Sequence, residues 1–125
     1  MDIAKNKENA IAFYNTAYLG NPQKAVEMYT GKEYIQHNPA VGDGNEEFIA
    51  YFERMQDDYP DKSIAFVRAI AEGDLVALHT HQTWPGNDQY VTIDFFRFDD
   101  NGKIVEHWDA IQQIPESSAN GNTMY

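Results

Sequence analysis

The chain has 125 residues, 42% of them hydrophobic and 14% aromatic, which is enough for one domain with one real core. Nine basic residues face 20 acidic ones, a formal charge of -11, and no Lys/Arg run exists to meet nucleic acid or an anionic membrane. Cysteine is absent, which excludes disulfides, a thiolate nucleophile and a Cys-based zinc site. No apolar run approaches the roughly 20 residues of a membrane span, and the first residues lack a secretory apolar region. The acidity fits a soluble surface, and a cytoplasmic location is expected.

Asp2 to Leu19 reads as an amphipathic helix, with Ile3, Ala10, Ile11, Tyr14, Ala17 and Tyr18 at helical spacing. Gly20 stops it, and Asn21-Pro22 supplies a cap followed by proline at the first position of a short second helix through Val26 and Met28. Tyr34 to Asn38 is extended and ends at Pro39, which cannot continue a central strand. A loop from Ala40 to Asn45 leads into a third helix, with Phe48, Ile49, Phe52 and Met55 on one face and an end near Tyr59-Pro60.

From there the pattern is strand: Ser63 to Ala71, Leu75 to Thr83, Tyr90 to Phe98 and Lys103 to Gln113. Turns fall at Glu72-Gly73-Asp74, at Pro85 to Asp88 and at Asp100-Asn101-Gly102. Helices first and a meander after predict an α+β fold, a strongly curved antiparallel sheet with about three helices packed on its concave face. Residues 1–114 make the domain, and 115–125, rich in Ser, Asn and Gly, form a tail that is frayed or docked on a partner.

The segment IDFFRFDDNGKIVEHWDAI carries the chemistry. Thr92, Asp94, Phe96 and Phe98 share one strand face, and Val91, Ile93, Phe95 and Arg97 the other. On the next strand His107, Asp109 and Ile111 alternate against Glu106, Trp108 and Ala110. A two-residue turn at Asn101-Gly102 sets Arg97 opposite Glu106 and Asp94 opposite Asp109. A three-residue loop with a glycine bulge instead brings Glu106 and Trp108 to the Asp94 face. The first register gives Arg97 an opposite-charge partner and is preferred. A carboxyl on an apolar face needs a partner or a shifted pKa. The candidate pocket set is Asp94, Asp109, His107, His79 and His81, a grouping suited to proton transfer without a cofactor.

The phrase IDFFRFDDNGKIVEHW resembles the last hairpin of the nuclear transport factor 2-like superfamily, whose enzymes include ketosteroid isomerase, scytalone dehydratase and the SnoaL-like polyketide cyclases. YIQHNP and GKIVEHWD are most similar to the SnoaL-like group, including its aldol-condensation members. The resemblance runs from the first helix to about Ile114. It implies a cone-shaped α+β barrel of cystatin-like type, a homodimer through the outer sheet face and an active site inside the cone. It places Asp94 where ketosteroid isomerase has its protonated oxyanion-hole Asp, and Tyr14 where that family has its oxyanion Tyr. The isomerase base, an Asp before a Pro, is replaced here by Asn38, and an amide cannot serve as a base, which argues against steroid-type isomerisation. In the cyclase group an Asp late in the last strand works with a His, and Asp109 and His107 match those places.

The implied function is acid/base chemistry on a small or polyketide-like carbonyl compound: enolisation, then aldol condensation, cyclisation or isomerisation. Asp94, Asp109 and His107 are the catalytic candidates, and Tyr14, His37, Asn38, His79, His81, Phe96 and Trp84 the ligand-facing ones. His37 and Asn38 would otherwise only shape the Pro39 turn, and Trp84 would either close the cone mouth or pack in the core. His79, His81 and His107 with Asp94 also form a conceivable metal set, since i and i+2 point the same way on a strand. The superfamily's enzymes mostly work without metal, so neither metal nor cofactor is expected. Two other readings remain open: a non-catalytic binder of an apolar ligand, and an epoxide-hydrolase-like enzyme, which needs Arg97 pointing inward.

Overall fold

The computed structural model describes residues 1–84 and 88–125, so most of the turn expected at Pro85 to Asp88 lies outside the described residues. Helix α1 (Ile3–Tyr18) starts where Asp2 accepts the Lys5 backbone N–H. It buries Ala10, Phe13 and Ala17, one stripe at helical spacing. Asn21 caps α2 (Pro22–Tyr29) by accepting from Lys24 N, with Pro22 in the first turn, where its missing N–H costs nothing. Helix α3 (Gly44–Asp58) buries Phe48 and Met55. The strands are β1 (Thr30–Gln36), β2 (Ser63–Glu72), β3 (Leu75–Thr83), β4 (Gln89–Phe98) and β5 (Ile104–Gln113), in one sheet of order β1-β5-β4-β3-β2.

The expected α+β architecture of three helices on a curved sheet is present. The sheet is mixed, not wholly antiparallel, because β1 runs parallel to β5, with Ile35 beside Glu106 and Gln36 beside His107. A parallel pair needs a long crossover, and here α3 and the whole β2–β4 meander provide it. Helices and sheet meet around Phe13. Its ring stacks on Phe48 at 5.0 Å and meets Phe96 edge-on at 5.9 Å.

The hairpin β4–β5 fixes which groups look inward. Asp94 pairs with Asp109 and Arg97 with Glu106, the register preferred from the sequence. It arises differently from the expected two-residue turn. Asp99 N donates to Lys103 O across a three-residue loop in which Gly102 takes φ 75°, and Phe98 then pairs with Ile104. That loop alone would invert the face, but the ladder slips once more between Phe98 and Arg97, leaving Val105 as the extra residue. The two irregularities cancel.

On the outer face Glu106 accepts from Arg97 Nε at 2.8 Å and from His37 Nε2 at 2.7 Å, and the His37 ring stacks on Trp108 at 4.9 Å. The His37 hydrogen bond, with help from Arg97, holds the Glu106 carboxyl below its ordinary range against the opposing effect of burial. Residues 115–125 form neither helix nor strand. Their end lies on the outer sheet face, where His79 Nε2 donates to Met124 O at 3.0 Å and Tyr125 stacks on His81 at 3.8 Å.

Phe13→Ala should cost ~3–5 kcal/mol, read as a lower urea midpoint with unchanged slope, because it empties the junction of helices and sheet. Glu106 has a lowered folded-state pKa, so the stability it adds is present at neutral pH and disappears as pH falls through that value. Glu106→Gln should therefore flatten the acid limb of the stability–pH curve, measured by thermal melts between pH 3 and pH 7.

Candidate active site

Alternation along β4 turns Thr92, Asp94 and Phe96 toward the helices, and all three are 1% exposed or less. A carboxylate with no water contact is costly unless paired. Asp94 Oδ1 meets His107 Nε2 at 2.8 Å, and its Oδ2 accepts from Thr92 Oγ1. Burial pushes the Asp94 carboxyl up from its ordinary value, and the hydrogen bonds from His107 and Thr92 pull it back only partly.

The partners of this pair leave little freedom in where the protons lie. Trp84 Nε1 donates to Gln82 Oε1, so Gln82 Nε2 is the end that reaches Thr80 Oγ1 at 3.1 Å and the Tyr14 hydroxyl at 2.9 Å. Thr92 gives its one hydroxyl hydrogen to Asp94, so in the Thr80–Thr92 bond Thr80 is the donor. The chain of donors thus runs one way, from the rim of the hollow to the buried acid. The Tyr14 oxygen accepts from Gln82 and keeps its own proton to donate. Burial first, then Asp94 and Asp109, push that hydroxyl well above its ordinary value.

Asp109 faces the same hollow from β5. Asn38 Oδ1 accepts from Ala40 N, which turns the Asn38 amide nitrogen onto both Asp109 oxygens at 2.9 and 3.0 Å. Asp109 Oδ2 lies 3.9 Å from His107 Nε2. The hollow holds about 50 Å³, room for a few water-sized groups, and its walls are largely aromatic, among them Tyr14, Tyr34, Phe52, Trp84 and Phe96.

Of the candidates read from the sequence, Asp109, His107, Tyr14, Asn38, Phe96 and Trp84 line this hollow, and Asp94 lies behind it, bonded to His107. His79 and His81 do not. They pair with Ile93 and Val91 on the outer face, because β3 turns Val76, Leu78, Thr80 and Gln82 inward. His37 is likewise outside, held by Glu106 and Trp108. The metal set built on His79 and His81 is therefore dispersed. Among the described residues, Asp94, His107 and Asp109 are the acidic and histidine groups close enough to share a cation, within 4.8 Å, but Asp94 Oδ1 and His107 Nε2 already bond each other. Arg97 points outward to Glu106, and among the described residues no arginine lines the hollow, which removes the feature an epoxide hydrolase needs.

Gln36, Thr80 and Gln82 escaped the sequence reading. Thr80 and Gln82 lie two and four residues beyond Leu78 on its face, so the register of β3 against Asp94 would have exposed them. Gln36 reaches His107 through a parallel pairing across most of the chain, which no local pattern signals.

A SnoaL-like domain model matches residues 10–107. Among solved structures the chain is similar to TsrD from Streptomyces laurentii, with 23% identity, a TM-score of 0.75, and 89% of this chain and 90% of that one covered. It is also similar to IdmH from Streptomyces antibioticus, provisionally named a polyketide cyclase, with 18% identity, TM-score 0.73 and 85% and 91% covered. A protein from Kribbella flavida, provisionally named a ketosteroid isomerase, gives 17% identity, TM-score 0.74 and 94% and 84% covered. No curated protein sequence matches. Among the described residues no helix is long and apolar enough to cross a membrane. The domain match and the shared cone of helices on a curved sheet establish that the chain belongs to the SnoaL-like family of the nuclear transport factor 2-like superfamily.

Proposed function

We propose that the protein is an acid/base enzyme that enolises a small carbonyl compound, followed by aldol-type carbon–carbon bond formation, cyclisation or isomerisation. The observation that carries this reading is the Asp109 carboxylate on the wall of the hollow, 3.9 Å from the buried, hydrogen-bonded Asp94–His107 pair. Asp94 has both oxygens engaged and no surface in the hollow, so it is not the base. Asp109, aimed by Asn38, takes the proton from the carbon next to the carbonyl. The electron pair left on carbon delocalises onto the carbonyl oxygen, where the Tyr14 hydroxyl donates to it. His107, coupled to Asp94, offsets the charge that moves through Asp109. Returning the proton from Asp109 to a different carbon gives isomerisation; attack of the enolate carbon on a second carbonyl breaks its C=O π bond, and the alkoxide takes the proton held by Asp109 to give the aldol adduct or closed ring. A cavity of about 50 Å³ favours a compound of few heavy atoms over a polycycle.

The reading also takes the protein as a homodimer, as its family resemblance implies. Ile93 and Phe95 are exposed on the outer sheet face at 41% and 42%, with Ile70 and Leu75 beside them. An apolar sheet face of this kind fits a second copy of the chain.

The chemistry is checked by NMR, following deuterium entry next to the carbonyl of a small 1,3-dicarbonyl probe in D₂O. Wild type should accelerate exchange, Asp109→Asn should fall to the buffer rate, and Tyr14→Phe should lose about 100-fold, the scale of a lost oxyanion donor. All variants should melt within a few degrees of wild type. Exchange by Asp109→Asn equal to wild type contradicts the assignment of the base. Tight probe binding with no exchange even in wild type favours a pure ligand carrier. Ile93→Glu should halve the mass seen in sedimentation; an unchanged mass contradicts the outer-face dimer.

A further inference from the structure

The side chain of Gln36 has no part in the acid/base scheme above, yet its placement determines where the protons of that scheme reside. Two backbone N–H groups, of His37 and Asn38, each reach Gln36 Oε1 at 3.1 Å. Backbone N–H groups only donate, so the atom they share must be the amide oxygen and not the nitrogen. The same oxygen lies 2.7 Å from His107 Nδ1. An acceptor fixed there obliges Nδ1 to carry a hydrogen. The neutral ring then has its lone pair on Nε2, the atom 2.8 Å from Asp94 Oδ1. Two lone pairs cannot face each other at that distance, so one proton must occupy the line between them. A proton on Asp94 Oδ2 would leave that contact unfilled, and Oδ2 is already the acceptor of the Thr92 hydroxyl.

We infer that Gln36 is a positioning residue: it fixes the Nδ1–H form of His107 and so commits a single shared proton to the contact between His107 Nε2 and Asp94 Oδ1. With that proton on Nε2 the pair is an imidazolium and a carboxylate; with it on Oδ1 the pair is neutral. Either way the pair is one proton short of being saturated. It answers a charge change at Asp109, 3.9 Å away, by moving the proton along the line without exchange with solvent. The ring is held in this pose by Tyr34, stacked on one side at 6.5 Å, and by Phe96 at 4.8 Å. The titratable groups that face it are Asp94 from β4, Asp109 from β5 and Tyr34 from β1, while Tyr14 from α1 interacts with the two acids. The consequence for turnover rests on the acid/base reading above, but the proton placement does not.

The test is long-range ¹H–¹⁵N NMR of the imidazole nitrogens in the full chain, with the His107 signals assigned by their loss in His107→Gln. In wild type the Nδ1 resonance should stay at the protonated position from pH 5 to pH 9. In Gln36→Leu it should move toward the unprotonated position, because Nδ1 has lost its acceptor and Asp94 can take an Nε2–H alone. In Gln36→Glu the protonated Nδ1 should persist and the ring should stay doubly protonated to a pH at least one unit higher. An unprotonated Nδ1 in wild type, or Gln36→Leu spectra identical to wild type, overturns the inference. If Gln36→Leu does not fold, an absent upward shift in Gln36→Glu overturns it equally. These readouts need no turnover, so they are separable from failure of the proposed reaction. Where the deuterium exchange above is active, Gln36→Glu should displace the pH profile of kcat.

Discussion

The fold is organised around an acid with no access to water. Asp94 sits at 0% exposure in the middle of the sheet's inner face, where an unpaired charge would cost several kcal/mol. Each strand next to it contributes to lowering that cost. β5 supplies His107, β4 supplies Thr92, β3 supplies Thr80 and Gln82, and β1 steadies His107 through Gln36. A network of this type stabilises only when it is complete, because a half-satisfied buried polar group is worse than none. The same completeness confines the protons, and confined protons are what separates a reactive site from a polar core.

Asp94 and Asp109 face each other across two strands, yet their surroundings assign them different roles. Asp94 is sealed, doubly bonded and pushed toward its protonated form. Asp109 borders the hollow and is gripped from one side by an amide that can donate but cannot take a proton. The two carboxyls thus sit in unlike environments, with His107 Nε2 2.8 Å from one and 3.9 Å from the other. Asn38, which the resemblance sets where ketosteroid isomerase has its base, here donates its amide to both oxygens of Asp109 on β5.

Much of this was legible in the sequence because strand alternation is a strict rule. It put Asp94 with Thr92 and Phe96, and His107 with Asp109, and the cap at Asn21-Pro22 and the helix stop at Gly20 were equally local signals. The register was legible only because of a cancellation: the glycine loop at Asp100 to Gly102 and the extra residue Val105 are separate irregularities of opposite effect. For β3 the alternation was read correctly, but which face lay inward depended on pairing across a turn whose length the sequence did not settle, and His79 and His81 went to the wrong side. The parallel β1–β5 pairing joins residues about 70 apart and has no local signature, so Gln36 stayed hidden and His37, one residue on, was expected inside.

Neutron diffraction from deuterated crystals tests the central claim most directly, since it locates the protons themselves. The account expects a deuteron on His107 Nδ1 directed at Gln36, one on the line between His107 Nε2 and Asp94 Oδ1, and none on Asp94 Oδ2. A deuteron on Asp94 Oδ2, or an imidazole turned so that neither nitrogen faces Asp94, would contradict it.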